Sequence, residues 1–86
     1  MIQKVSIPAS VKTIFNHTTR VTTPKVILWE GREYLVKTIG LHHTYRDGRN
    51  LFHVFSVSCD TLAFRLVLDT ESLVWTIEEV SDGLVD

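Results

Sequence analysis

The sequence has too little cysteine, proline and glycine to belong to several classes of protein. Its 86 residues include one cysteine, two prolines and four glycines. A lone cysteine, Cys59, cannot form an internal disulfide, and no Cys/His quartet exists for structural zinc, so a reducing compartment is favoured. Hydrophobic residues at 44% and charged residues at 22% indicate an ordinary folded chain rather than a disordered or collagen-like one.

Long apolar runs are also missing. No stretch approaches the roughly 18 residues of a membrane span, and the first four residues are not followed by the apolar segment of a signal peptide. We therefore expect no membrane association and a cytoplasmic location. Residues 1–86 are expected to form one small domain, because a second core has no room in a chain below about 100 residues.

Neither sign of charge predominates in the whole chain, since the net charge is −1, but the two halves of the chain differ in net charge. Residues 1–50 hold eight of the nine basic residues and three acidic ones, for a net +5, whereas residues 51–86 hold one basic and seven acidic residues, for a net −6. A sheet that interleaves the two halves would cancel this asymmetry. The overall balance gives no general attraction for nucleic acid or an anionic membrane.

Apolar residues alternate with polar ones along much of the chain, which predicts strands rather than helices. The clearest strand runs from Leu62 to Leu68, and the next runs from Leu73 to Val80. A four-residue loop between them would place Leu66 opposite Trp75, so that both apolar faces coincide. The same reasoning predicts a preceding strand, Leu51 to Val57, joined by a loop over residues 58–61 with Phe55 opposite Phe64.

A further hairpin is predicted upstream, from Lys25 to Glu30 and from Glu33 to Leu41, around the dipeptide Gly31-Arg32. Glycine can adopt the positive φ that a two-residue turn demands. This register places Trp29 opposite Tyr34 and Ile27 opposite Val36.

The second of these strands changes phase partway along. After Val36 the bulky residues lie one position out of step with the core-facing set, which predicts a β-bulge between Val36 and Leu41. Gly40 is the expected place, because a residue without Cβ bends most easily. Asp47-Gly48-Arg49-Asn50 then signals another turn before Leu51.

These elements predict an all-β fold, an antiparallel meander of five or six strands that forms a curled sheet or a small, partly open SH3-like or OB-like barrel. Residues 1–23 are expected to form a less regular arm or edge strands, with Pro8 at a sheet margin, and residues 81–86 a frayed tail. The residues expected on the inner side are Trp29 or its hairpin mates, Phe55, Val57, Leu62, Phe64, Leu66, Trp75 and Ile77.

No motif predicts catalysis, a cofactor or a metal site. Adjacent residues of a strand point to opposite faces, so His42 and His43 are not expected to share a metal ion, and His53 could join only one of them. Glu78 and Glu79 diverge for the same reason. No serine lies in a GxSxG turn, and the sequence has no Walker loop, GxGxxG or HExxH. We therefore expect a protein that is not an enzyme.

The best candidate for a binding surface is the segment from Leu41 to Asn50. It combines imidazoles, a phenol and two guanidiniums, which can bind phosphate or carboxylate and stack on flat groups. Arg32 is expected at the opposite end of the same strand. The candidate binding residues are Arg32, His42, His43, Tyr45, Arg46 and Arg49.

The string Trp29-Glu30-Gly31-Arg32-Glu33-Tyr34-Leu35-Val36, with Phe64-Arg65-Leu66 and Trp75-Thr76-Ile77 downstream, resembles a family of short, uncharacterised bacterial all-β proteins, a domain of unknown function. The resemblance covers roughly Pro24 to Val80 and rests on W-x-G-R-x-Y-x-V. It implies a small β fold and no particular activity or catalytic residue.

Two functions are compatible with these observations. The first is a non-enzymatic β-sheet binding module that acts through a protein partner or through its own copies, using edge strands before Pro24. The alternative is a nucleic-acid-binding module that uses the basic and aromatic hairpin tip at Tyr45, Arg46 and Arg49.

Overall fold

The computed structural model describes residues 2–82 and shows an all-β protein. It has seven antiparallel strands: β1 (Ile2–Asn16), β2 (Val21–Trp29), β3 (Arg32–Leu35), β4 (Thr38–Asp47), β5 (Asn50–Ser58), β6 (Ala63–Asp69) and β7 (Trp75–Ser81). The predicted fold class is confirmed, and the count is seven rather than five or six. The difference arises because residues 2–23 supply a long first strand and the start of the second, and because the predicted strand 33–41 divides into β3 and β4.

The strands form one curled sheet in the order β3-β2-β1-β7-β6-β5-β4. Each strand lies beside its sequence neighbour, except that β1 pairs with β7 and the sheet is open between β3 and β4. Val36 and Lys37 alone join those two strands; the Val36 N–H donates to the Lys25 carbonyl (2.9 Å) and the Lys37 N–H to the Ser58 carbonyl (2.8 Å). The two ends of the sheet therefore meet at one corner without closing into a barrel.

β1 holds the two halves of the sheet together. Its first half, up to Ala9, pairs with β7, and its second half, from Ser10, pairs with β2. Pro8 lies in the first half and has a strand partner on the β7 side only, so its other side is a free edge, where proline is tolerated. The N-terminal segment thus forms a strand in the middle of the strand order, with locally free edges.

The core lies on the inner side of the curl. Its buried residues are Ile27, Phe55, Val57, Cys59, Phe64, Leu66, Leu68, Trp75, Ile77 and Val80. The predicted inner residues are all part of this cluster, with Trp29 and Leu62 partly buried at its margin. Phe64 contacts Trp29 and Tyr34 edge to face across the interior, at ring-centroid distances of 5.8 and 5.4 Å.

The predicted register of the β2–β3 hairpin is wrong by two residues. Trp29 pairs with Arg32, and Ile27 pairs with Tyr34 rather than Val36. The turn residues are Glu30 and Gly31, both with positive φ (51° and 75°), which is the type I′ pattern that matches strand twist. The predicted strand 33–41 is interrupted at Val36 and Lys37.

The β5–β6 and β6–β7 hairpins show the same slip of two residues. Phe55 pairs with Leu66 rather than Phe64, and Leu68 rather than Leu66 pairs with Trp75. The apolar faces nevertheless coincide as predicted, because a shift of two keeps every side chain on its face. The last strand is predicted to begin at Leu73, but Leu73 lies in the preceding turn with φ 63° and is 71% exposed.

The predicted bulge is confirmed at Gly40. Ile39 pairs with Val57 and Leu41 with Ser56, which leaves Gly40 as the extra residue. In the predicted tail, Ser81 belongs to β7, and residues 83–86 lie outside the described residues. No helix within residues 2–82 could span a membrane.

The charge asymmetry between the two halves of the chain is largely interleaved. Lys4 on β1 pairs with Glu79 on β7, and Lys37 lies 3.8 Å from the Asp60 carboxylate. The sheet therefore places basic and acidic segments side by side instead of separating them.

Candidate functional site

The β4–β5 hairpin carries five of the six predicted binding residues. Its two-residue turn, Gly48-Arg49, is closed by the pair Asp47 and Asn50, and Gly48 has the positive φ of 64° that a type II′ turn requires. Arg32 begins β3 on the other edge of the sheet. The structure therefore separates Arg32 from the remaining five residues.

The turn end of this hairpin is fixed by the loop between β6 and β7. The Asn50 side-chain amide donates a 3.0 Å hydrogen bond to the Asp69 carboxylate, and the Thr70 hydroxyl donates a 2.7 Å bond to the Leu51 carbonyl. The Asn50 amide first, and then the backbone N–H of Glu71, lowers the pKa of Asp69. These bonds hold the hairpin in a defined orientation relative to the rest of the sheet.

The side chains of β4 form two rows with different chemistry. The first, called the inner row, consists of His42, Thr44 and Arg46, which lie opposite Phe55, His53 and Leu51 of β5. The second, called the outer row, consists of Leu41, His43 and Tyr45, which lie opposite Ser56, Val54 and Phe52. Directly opposed residues of antiparallel strands share a face, so the inner row continues the core face beyond the buried interior.

His42 is the polar side chain of the inner row that contacts neighbouring rings. Its ring stacks on Phe55, with centroids 4.2 Å apart and planes 2° apart, and its Nε2 lies 2.8 Å from Nδ1 of His53. Phe55 in turn packs against Trp75 at 5.6 Å. Desolvation chiefly, followed by the neighbouring His53 and His43, lowers the pKa of His42. The imidazole is therefore favoured in its neutral form.

Tyr45 and the two arginines do not form one surface. The Tyr45 ring stacks on Phe52 at 4.9 Å with planes 11° apart, so one side of the phenol ring is already covered. Arg46 lies on the opposite row, and Arg49 lies in the turn. Within residues 2–82, neither arginine forms an ion pair.

Sequence reasoning omitted His53, Phe55 and Phe52 from the candidate site. Their signal was present in the turn: a two-residue loop at Gly48-Arg49 places Phe55 opposite His42 and Phe52 opposite Tyr45. Of the two adjacent histidines, His42 is the one whose ring nitrogen contacts His53.

The described residues offer little for catalysis or metal binding. In residues 2–82, no three His, Cys, Asp or Glu side chains gather where they could hold a metal ion. Burial, followed by the Asp60 carboxylate, raises the pKa of the Cys59 thiol, which disfavours the reactive thiolate. Glu78 accepts a 3.1 Å hydrogen bond from Arg65 and is thus engaged in an ion pair.

A shallow cleft opens where β1 diverges from β2. It has a volume of about 400 Å³ and is lined by Ile7–Ser10 and Leu28–Glu30. The Trp29 Nε1 atom is buried with no hydrogen-bond partner within residues 2–82. The rings of Tyr34 and Phe64 pack beside the Trp29 indole, with ring-centroid distances of 6.1 and 5.8 Å.

The most distinctive feature of the surface is the free edge of β4. All ten residues of β4 are exposed, and β5 is the only strand in the described chain that it contacts. From Thr38 to Tyr45 the strand contains no proline and no Lys, Arg, Asp or Glu. Leu41 is 55% exposed and Tyr45 is 42% exposed.

Two other free edges carry features that discourage strand pairing. β3 has only four residues, two of which are the charged Arg32 and Glu33. The free side of the first half of β1 contains Pro8. Short length, charge and proline are the usual devices that protect an edge, so β4 is less protected than either of these two edges.

No protein-family model, no curated protein and no solved structure matches this chain. The resemblance of residues 24–80 to a family of short bacterial β proteins therefore stays a prediction.

Proposed function

We propose that this protein is a non-enzymatic binding module that adds an extended segment of a partner protein to the free edge of β4. The observation that carries the proposal is the exposed, uncharged stretch from Thr38 to Tyr45 on a ten-residue edge strand. Alternate residues of such a strand present unpaired backbone N–H and C=O groups, which a second strand can bind.

Exposed apolar side chains add to the main-chain contribution. Leu41 and Tyr45 project from the outer row and would be covered by a partner strand. Burial of apolar surface contributes roughly 25 cal/mol per Å² before the entropic cost of association. The backbone thus supports affinity, and the outer row supports preference for apolar side chains.

The nucleic-acid alternative receives less support from this geometry. A base that stacked on Tyr45 would lie on the outer row, whereas Arg46 lies on the inner row. The stacking group and the cation therefore act on opposite faces of the hairpin. Self-association through β4 uses the same edge and is one outcome of the test below.

The proposal is tested by selecting extended peptides on the purified protein and mapping them by amide chemical shifts. We expect the β4 amides to shift and to gain protection from exchange with solvent. A Leu41→Lys variant, which places a charge on the edge, should weaken binding about tenfold or more.

Leu35→Lys is the matched control, because Leu35 lies on the β3 edge and is exposed to a similar degree (59% against 55% for Leu41). It should leave binding unchanged. Sedimentation of the protein alone detects β4–β4 pairing as a dimer that Leu41→Lys abolishes. Peptides that map away from β4, together with a monomer whose β4 amides exchange freely, would contradict the proposal.

A further inference from the structure

The inner and outer rows of β4 differ in chemistry, so a partner strand that pairs with β4 needs different side chains on its two faces. This inference rests on the proposed function, since it concerns the chemistry of the segment bound at that edge. A strand added to a sheet continues the pleat, so its side chains alternate between the two faces. Opposed side chains on one face have Cβ atoms about 4.5–5.5 Å apart, which is close enough for contact.

The outer row is apolar at both ends and has an imidazole in the middle. Leu41 and Tyr45 flank His43, and the Tyr45 ring is held flat against Phe52. A partner side chain on this face contacts an aliphatic group and the rim of an aromatic stack. β-branched residues fit such positions because they pack well on a pleated surface.

The inner row is basic and polar. Arg46 is exposed and forms no ion pair within residues 2–82, while Asp47, the neighbouring carboxylate, belongs to the opposite face. His42 lies two positions away on the same face, with its ring fixed by Phe55 and His53. An acidic side chain on the partner would meet the Arg46 guanidinium and the edge of the imidazole pair.

A second copy of this chain offers no carboxylate to the inner row. Two β4 strands related by a two-fold axis perpendicular to the sheet would place inner row beside inner row. Each copy would then bring another Arg46 to a face that already carries one, without any added carboxylate. In a register that places the two Arg46 side chains opposite each other, their like charges oppose association.

We infer that the partner of β4 is an extended segment in which apolar residues alternate with acidic ones. The apolar residues cover Leu41 and Tyr45, and the acidic residues lie beside Arg46 and His42. The identity of the residues in each row, rather than the net charge of the protein, sets this preference.

Three short peptides that differ only in their alternating polar residue test the inference. In each, Val or Thr alternates with Glu, Lys or Gln. At low salt we expect the Glu peptide to bind about tenfold more tightly than the Lys peptide, with Gln intermediate, and the difference to shrink as salt is added. Arg46→Glu should reverse the order of the Glu and Lys peptides.

Arg32→Glu is the matched control, because it makes the same change on the β3 edge and should leave the order as it is. Equal binding of all three peptides at β4 would overturn the inference while the proposed function stands. Binding of none would overturn both. Preferential binding of single-stranded DNA, weakened by Arg46→Glu, would also overturn the inference and would favour the nucleic-acid alternative.

Discussion

The imidazole rings of His42 and His53 meet edge to edge, with Nε2 of His42 2.8 Å from Nδ1 of His53 and the ring planes 18° apart. A hydrogen bond between two ring nitrogens needs one nitrogen with a hydrogen and one without. The contact is therefore lost when both rings are fully protonated. This arrangement links the conformation of the inner row of β4 to pH.

The lowered pKa of His42 predicts a stability that depends on pH below neutrality. Partial desolvation of the ring chiefly, and then His53 and His43, lowers this pKa, so the unfolded chain takes up a proton on His42 at a higher pH than the folded chain does. Above about pH 6.5, the usual histidine value, this contribution is fully present, and it is lost as the pH falls through the folded-state pKa.

Denaturant unfolding at several pH values between neutrality and pH 5 checks this. We expect the free energy of unfolding of the wild type to fall more steeply with acidification than that of His42→Gln. His17→Gln, in the exposed β1–β2 turn, is the control and should follow the wild type. Parallel profiles for the wild type and His42→Gln would rule out the linkage.

Replacing Leu73 with glycine should stabilise the protein. Leu73 has φ 63° and is 71% exposed, so it bears a left-handed backbone strain with little burial in return. The left-handed conformation costs a residue with a Cβ roughly 1–2 kcal/mol, and the extra freedom of glycine in the unfolded chain offsets about half of this. We expect Leu73→Gly to raise the free energy of unfolding by about 0.5–1 kcal/mol.

Val74→Gly is the matched control, since Val74 is the next residue and has no positive φ. It should lower the stability, because it adds only unfolded-state freedom and removes a β-branched side chain. A loss of stability in both variants would show that the Leu73 backbone is not strained.

Two glycines of the candidate site should respond differently to alanine. Gly48 has φ 64°, so Gly48→Ala should destabilise the hairpin by roughly 1–2 kcal/mol. Gly40 has no positive φ, and an added Cβ would meet only the Ser56 carbonyl oxygen at 3.7 Å, an ordinary contact. Gly40→Ala should therefore be neutral or slightly stabilising. Thermal unfolding of both variants distinguishes these outcomes, and equal losses would contradict the assignment.

The faces of the strands could be predicted from alternation, but their registers could not. Phe55, Leu66 and Trp75 lie on the core face as expected, while three hairpins are displaced by two residues. A displacement of two conserves the pattern of inward and outward residues, so alternation carries no information about it. The backbone conformation of the turns sets the register instead. In the β2–β3 turn, for example, Glu30 adopts positive φ ahead of Gly31.

The free edge of β4 could not be predicted from local sequence patterns, for a different reason. Which strand lies outermost depends on the pairing of β1 with β7, two segments at opposite ends of the chain. That pairing completes a cyclic order and leaves the gap between β3 and β4. The proximity of His42 and His53, by contrast, follows from the single turn at Gly48 and is within reach of the sequence.

Packing rather than hydrogen bonding connects β6 to β2 and β3 across the interior. Phe64 is 2% exposed and makes edge-to-face contacts with Trp29 of β2 and Tyr34 of β3. Aromatic pairs of this kind contribute about 0.5–1.5 kcal/mol beyond area burial. A double-mutant cycle of Phe64→Leu and Tyr34→Leu should therefore give a coupling energy in that range in denaturant unfolding.

A second cycle, Phe64→Leu with Tyr45→Leu, supplies the control. Tyr45 stacks on Phe52 on the outer row and shares no ring contact with Phe64. The two changes should add within about 0.3–0.5 kcal/mol. If the Phe64–Tyr34 coupling were no larger than this, the edge-to-face contact would not connect β6 to β3. The Val36-Lys37 connection alone would then hold β3 close to β4.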